Sequence, residues 1–336
     1  MKAKSTSQIP RTFTRNAILL AITALALSAS PASRADAECN CETIWTGSTG
    51  DWFNPSNWSN ILPDCGGHCI IGGSTEAQIN NGGTAQITTP TPTAYVCQLF
   101  FGYNNSGESG KLSVDHGTLN MCNEIFVGYH GRGTLSITNG GVVSTLPVGA
   151  SIASLQNSNG TVTVDGANSQ WTITGALYLG GTINGSGGTG LLTFTNGGTV
   201  SASSVHVYKS GTLTGNSTVS TTSGMTVEGT VSRTVGTLSI GGDLGLTRNA
   251  TTQCSVTPQD VNNVDVSVSG TATLDGRLSV TMTGTFTPGT QFTLLHAGVR
   301  NLTFFSVSIT YPTGQCFTPV IRYDANNVYL YLQPCT

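Results

Sequence analysis

Charge is scarce in this sequence, with 13 Lys+Arg and 16 Asp+Glu among 336 residues. Nucleic acids and anionic lipid surfaces are held by clustered Lys/Arg, so neither is expected as a partner. Helix signals are missing as well: no apolar period of 3.6 residues and almost no Ala/Glu/Lys-rich stretch occur after the N-terminal region. Past Leu27 no apolar run approaches the roughly 20 residues that a spanning helix needs. The five histidines, His68, His116, His130, His206 and His296, show no His-x-His or His-x3-His spacing, and no serine sits in a G-x-S-x-G turn. No cofactor or metal site is expected from these patterns.

What the chain does contain begins with a leader. Lys2, Lys4, Arg11 and Arg15 precede an apolar run, Ala17 to Leu27, followed by small residues and Ala35-Asp36-Ala37. A basic segment, an apolar segment too short for a membrane span and an A-x-A site read as a signal peptide over residues 1–37. Its loss removes Lys2, Lys4, Arg11, Arg15, Arg34 and Asp36, taking the formal charge from −3 to −7. The remaining chain is expected to stay soluble through Thr, Ser, Asn and Gly, a composition that suits an extended all-β surface.

All nine cysteines follow the leader, and export makes disulfides their default state. Cys39, Cys41, Cys65, Cys69, Cys97, Cys122, Cys316 and Cys335 are the candidates, and the odd count leaves Cys254 over. Cys39-x-Cys41 with Cys65-Gly-Gly-His68-Cys69 also admits a zinc site. The spacing is not that of a zinc ribbon, so disulfides are preferred there. Cys97 and Cys122 sit in matching elements, five residues before Gly102 and six before Gly128. Neighbouring strands lie about 4.7–4.9 Å apart, which allows a 97–122 bridge if a bulge absorbs the one-residue offset. The alternative is two buried thiols acting as small apolar groups.

A degenerate repeat dominates the middle of the chain. Gly110-Lys-Leu-Ser-Val-Asp-His-Gly117 parallels Gly133-Thr-Leu-Ser-Ile-Thr-Asn-Gly140, Gly160-Thr-Val-Thr-Val-Asp-Gly166 and Gly190-Leu-Leu-Thr-Phe-Thr-Asn-Gly197. Weaker copies begin at Gly211 and Gly236. The first four start 23, 27 and 30 residues apart, a solenoid spacing. Alternation puts each aliphatic pair on one face of a strand and its hydroxyl on the other. A lone strand cannot bury that face, whereas stacked copies form continuous interior columns. Leu99-Phe-Phe-Gly102, Ile125-Phe-Val-Gly128 and Leu177-Tyr-Leu-Gly180 read as a second strand of each repeat. The expected fold is therefore all-β, a right-handed parallel β-helix over 98–250, with a Cys/Trp-rich N-terminal cap (38–97) and an aromatic-rich C-terminal β cap (251–336).

The segments 133–144 and 160–171, with Tyr178-Leu-Gly-Gly181, resemble the repeat of autotransporter passengers and PEP-CTERM-associated proteins. Trp45-Thr-Gly-Ser-Thr-Gly-Asp-Trp-Phe-Asn-Pro-Ser-Asn-Trp58 is similar to the opening of many such proteins. Val268-Ser-Gly-Thr-Ala-Thr-Leu-Asp-Gly-Arg-Leu278, with Gln291-Phe-Thr-Leu-Leu295 and Tyr323-Asp-Ala-Asn-Asn-Val-Tyr-Leu330, is similar to the passenger's C-terminal end. The resemblance implies a passenger fold and export. It departs from the family in carrying no outer-membrane barrel, so it implies no route of anchoring.

These patterns point to a noncatalytic exported structural or adhesion-type protein, secreted or at the cell surface. Its expected partner is a cell-surface or extracellular carbohydrate or protein, and its assembly state is left open. The alternative is a carbohydrate-binding or polysaccharide-degrading β-helix. Degradation needs paired carboxylates or a carboxylate-held calcium with a base. Asp115, Glu124, Asp165 and Arg132 are the charged residues near repeat corners that could serve, and turn geometry accounts for them equally well. Trp171 and Tyr178 are candidate surfaces on which a carbohydrate could stack. The pairs Thr161/Thr163, Thr172/Thr174, Thr193/Thr195, Thr212/Thr214 and Thr281/Thr283 invite an ordered-water or ice-binding face, but they are expected to lack a common register.

Overall fold

A computed structural model describes residues 39–64, 74–146 and 148–335. Residues 1–37, the expected signal peptide, lie outside these, as do Cys65, His68, Cys69 and the side chains of Cys39 and Cys41. The described chain is mostly β-strand with no α-helix, wound as a parallel β-helix whose rungs each contribute one strand to three faces.

One rung shows the plan. Ser109–Asp115 lies on face one, Thr118–Met121 on face two and Ile125–Val127 on face three; the next rung then begins at Arg132. Face one stacks Asn81–Ile87, Ser109–Asp115, Arg132–Thr138, Asn159–Asp165, Thr189–Thr195, Gly211–Gly215 and Thr230–Arg233, and continues to Ser306–Thr310, all in parallel. Face two stacks Thr118–Met121, Val142–Thr145, Gln170–Ile173, Thr199–Ala202 and Thr218–Thr221. Face three stacks Gln98–Phe101, Ile125–Val127, Gly149–Ile152, Ala176–Leu179 and Ser204–Val207. The repeated octapeptide is the face-one strand, and the aromatic tetrapeptides are face three. Face two carries no motif of its own. The copy at Gly236 is displaced, because Leu238–Gly241 pairs on face two while Thr230–Arg233 supplies face one. All three faces demand the same in/out alternation, so the motif fits any of them.

The interior is the set of inward columns. Leu112, Leu135, Val162, Leu192 and Leu213 are register partners in succession, as are Val114, Ile137, Val164 and Phe194, and all are buried. Each such side chain contributes roughly 1.5–3 kcal/mol on full burial. The corners need special backbone. At Gly128, φ is +82° and an added Cβ would lie 2.4 Å from the Asn159 carbonyl oxygen, so glycine alone fits.

Parallel pairing runs through both expected cap boundaries. Cys39–Ile44 pairs with Ser74–Ile79, which pairs with Gln98–Phe101. At the other end Thr251–Val256, Arg277–Met282 and Ser306–Thr310 prolong face one. Aromatic packing marks the first described rung, and an antiparallel hairpin follows the last. Trp45, Trp52 and Trp58 are buried with edge-to-face ring centroids 4.9–5.1 Å apart, and the Trp58 indole donates to the Trp52 carbonyl at 2.9 Å. At the C-terminal end Phe317–Tyr323 and Asn327–Pro334 form an antiparallel hairpin, whose second strand pairs with Gln291–Leu302.

Candidate functional site

Outward side chains fall into straight columns, because successive rungs stay in register. On face one Ser113, Ser136, Thr163, Thr193, Thr214 and Ser232 are consecutive partners. Beside them run Thr134, Thr161, Leu191, Thr212, Thr230 and Thr251. Single hydroxyl positions thus align, but the threonine pairs keep no common register: Thr161/Thr163 and Thr212/Thr214 share two columns, whereas Thr193/Thr195 is shifted by two, with Leu191 opposite Thr161 and Thr195 opposite Asp165. The unequal repeat lengths are absorbed at corners, the largest by a small antiparallel excursion, Gly181–Thr182 against Gly185–Ser186. Thr172 lies on face two, which is why that pair does not join the ladder.

Asp115 and Asp165 share one face-one column, both in register with Thr138. Two rungs separate them, about 9–10 Å. Each instead holds the next corner: Asn139 donates to Asp115 at 2.9 Å, and Asn196 to Asp165 at 2.7 Å. Both asparagines have positive φ, 52° and 53°, the conformation their side chains help to hold. His116 also pairs with Asp115, at 2.7 Å. Arg132 lies apart, on a shallow polar cleft with Asn157, Ser158 and Ser210.

Face three carries an aromatic stripe. The outward column runs Phe100, Phe126, Ser151, Tyr178, His206. Phe100 and Phe126 stack with centroids 4.6 Å apart and planes 6° apart, and Tyr103 and Tyr129 pack around them. Tyr208 stacks on His206 at 4.1 Å, and His206 Nε2 meets Glu228 at 2.9 Å. Glu124 sits in the neighbouring column within 3.4 Å of the Ser151 hydroxyl, and burial pushes its carboxyl above the usual carboxylate range. Of the two stacking candidates, only Tyr178 belongs to this surface. Trp171 points inward, fully buried, and its indole donates to Thr145 Oγ1 at 3.3 Å. An odd-numbered position in Gln170–Ile173 faces the core, and a tryptophan there adds to the interior.

Sequence reading missed one buried polar cluster. Arg233 ends a face-one strand pointing inward, where Nε lies 2.9 Å from Asp265 and Nη2 lies 3.2 Å from Asp260. Desolvation raises the Asp265 pKa to about 7, partly opposed by Arg233. Burial acts on Asp260 too, but bonds from Thr257 and Arg233 outweigh it and hold its carboxyl below the usual range. Cys254, free and buried, completes the cluster, and burial beside Asp265 drives its thiol well up. An arginine after Thr-Val-Ser in an apolar alternation was the available sign.

Cys97 and Cys122 are both disulfide-bonded, which removes the alternative of two inert thiols. The Asn123 amide donates to the Cys97 carbonyl at 2.9 Å. Val96 is opposite Met121 and Leu99 opposite Ile125, so the extra residue is taken up after Cys122 and the two cysteines stand side by side. Cys316 and Cys335 are exposed and free. Among the described residues no cluster of three His, Cys, Asp or Glu could hold a metal ion, and no helix is long and apolar enough to cross a membrane. No family model, curated protein or solved structure matches this chain.

Proposed function

We propose that the chain is a noncatalytic exported scaffold of adhesion type, secreted or held at the cell surface. The observation that carries this reading is the alignment of outward side chains into columns along three faces of one parallel stack. Such columns offer many weak, equally spaced contacts to an extended carbohydrate or protein, where an enzyme concentrates its groups at one point. Asp115 and Asp165 serve the corners in this reading. Purified protein is expected to release no product from pectin-, alginate- or glucan-type polymers and to bind intact cells or their matrix. Turnover that is lost in Asp115→Ala or Asp165→Ala would overturn it.

A carbohydrate-binding role is the second reading, favoured by the face-three stripe. Aromatic rings beside carboxylates suit the apolar faces and hydroxyl edges of sugars. Affinity electrophoresis in polysaccharide gels should show retardation that Phe126→Ala and Tyr178→Ala reduce. Equal migration of wild type and variants in every polymer would remove this reading.

A further inference from the structure

The C-terminal hairpin has a hydrogen-bonded turn at one end, and at its open end the Gln315 side chain accepts from the Phe286 amide at 2.7 Å and donates to the Gly284 carbonyl at 2.9 Å. At its turn the Asp324 carboxylate accepts from the amides of Asn326 and Asn327 and from the Tyr329 hydroxyl, at 2.7–2.8 Å. The register then runs Tyr323 opposite Val328, Ile321 opposite Leu330, Pro319 opposite Leu332 and Phe317 opposite Pro334. One step beyond stand Cys316 and Cys335, where the Cys335 amide donates to the Cys316 carbonyl at 3.4 Å.

Residues directly opposite in an antiparallel pair have Cα atoms about 4.5–5.5 Å apart. A disulfide accepts about 4.4–6.8 Å. Both thiols are exposed, so a redox partner can reach them. We propose that Cys316 and Cys335 form a disulfide that locks the hairpin over the last rung. The reaction needs a disulfide oxidant, a small molecule or a protein. One thiolate attacks an oxidant sulfur and expels a thiol, and the second thiolate then displaces the other from the mixed disulfide. Two electrons pass to the oxidant, one protein S–S bond forms, and the two protons end on the oxidant's sulfurs.

The consequence lies in what the hairpin covers. Phe317, next to Cys316, packs edge-to-face on Phe286 at 6.3 Å, and Val328, Leu330 and Leu332 of the hairpin's own second strand are fully buried. Among the described residues Phe317–Tyr323 pairs with one neighbour only, Asn327–Pro334, and a strand held on a single side frays readily. A bond at its open end holds Phe317 in place.

The full-length protein, purified and equilibrated with glutathione disulfide, tests this without reference to where the cell keeps it. Trypsin cuts after Arg300 and Arg322, giving 301–322 with Cys316 and 323–336 with Cys335. Nonreducing mass spectrometry should find these two peptides joined. Hydrogen exchange of the 317–323 amides should accelerate roughly 100-fold on reduction, the stabilisation expected of a loop this short. Cys316→Ser, Cys335→Ser and the double variant should each show that same loss, since either change removes the whole bond. Alkylation of both thiols in the oxidised protein, joining of either to another cysteine, or exchange indifferent to reduction would overturn the proposal. The adhesion reading stands or falls separately, on binding to cells.

Discussion

Arg233 is the side chain whose environment departs most from its neighbours. Every other rung fills that inward position with an aliphatic, aromatic or small group, whereas here a guanidinium meets two carboxylates in the dry interior. Charges so placed are kept by mutual pairing, and removing one partner of such a pair costs about 3–5 kcal/mol. Arg233→Ala should therefore lower the unfolding free energy by about that much in denaturant titrations. Asp265 adds a pH dependence with a definite sign. Its folded pKa of about 7 lies above the unfolded value of about 3.9, so the folded state binds the extra proton. The stability this contributes is complete below about pH 4 and is lost as pH rises through about 7. Asp260, with its lowered pKa, acts in the opposite sense and only at the acid end. The melting temperature should accordingly fall between pH 4.5 and 7.5, and Asp265→Asn should flatten that slope. A wild-type melting temperature constant over this range would refute the assignment.

Among the strands, the contrast between the two sides of one segment makes the sharpest test. Thr189–Thr195 points Phe194 into the stack and Thr193 into the hydroxyl column. Phe194→Ala empties a buried aromatic site and should cost about 3–5 kcal/mol. Thr193→Ala exchanges one outward group for another and should stay within about 0.5 kcal/mol. Equal effects from both would mean the register is shifted by one residue, since a slip of one turns every side chain to the other face. The face-one strands were legible from sequence because Gly, alternating aliphatics and a Gly/Asn turn recur together. Thr118–Met121 and its partners on face two were not, since they are four residues long and share their alternation with every other strand. The same degeneracy misplaced the Gly236 copy and hid the columns into which single outward hydroxyls fall. Spacing in the chain counts corner residues, while register in the sheet does not.

For the molecule as a whole, the sequence predicts a mature form that begins near Glu38. Mass spectrometry of material recovered outside the cytoplasm should find that N-terminus, and intact Met1 in such a sample would count against export. Period-two alternation, the Gly-rich corners and the repeat spacing follow from the chain alone. They were enough for an all-β stacked architecture, because an amphipathic strand with no helix or second sheet to cover it can bury its face only against copies of itself. Three properties came only with the tertiary structure. Trp171 lies inside while Tyr178 lies outside, Asp115 and Asp165 clamp corners, and Arg233 meets residues 27 and 32 positions away in the chain. Each depends on which rung lies above which, and that is set by how much chain every corner takes up. Local sequence encodes the strand; the corners decide what it touches.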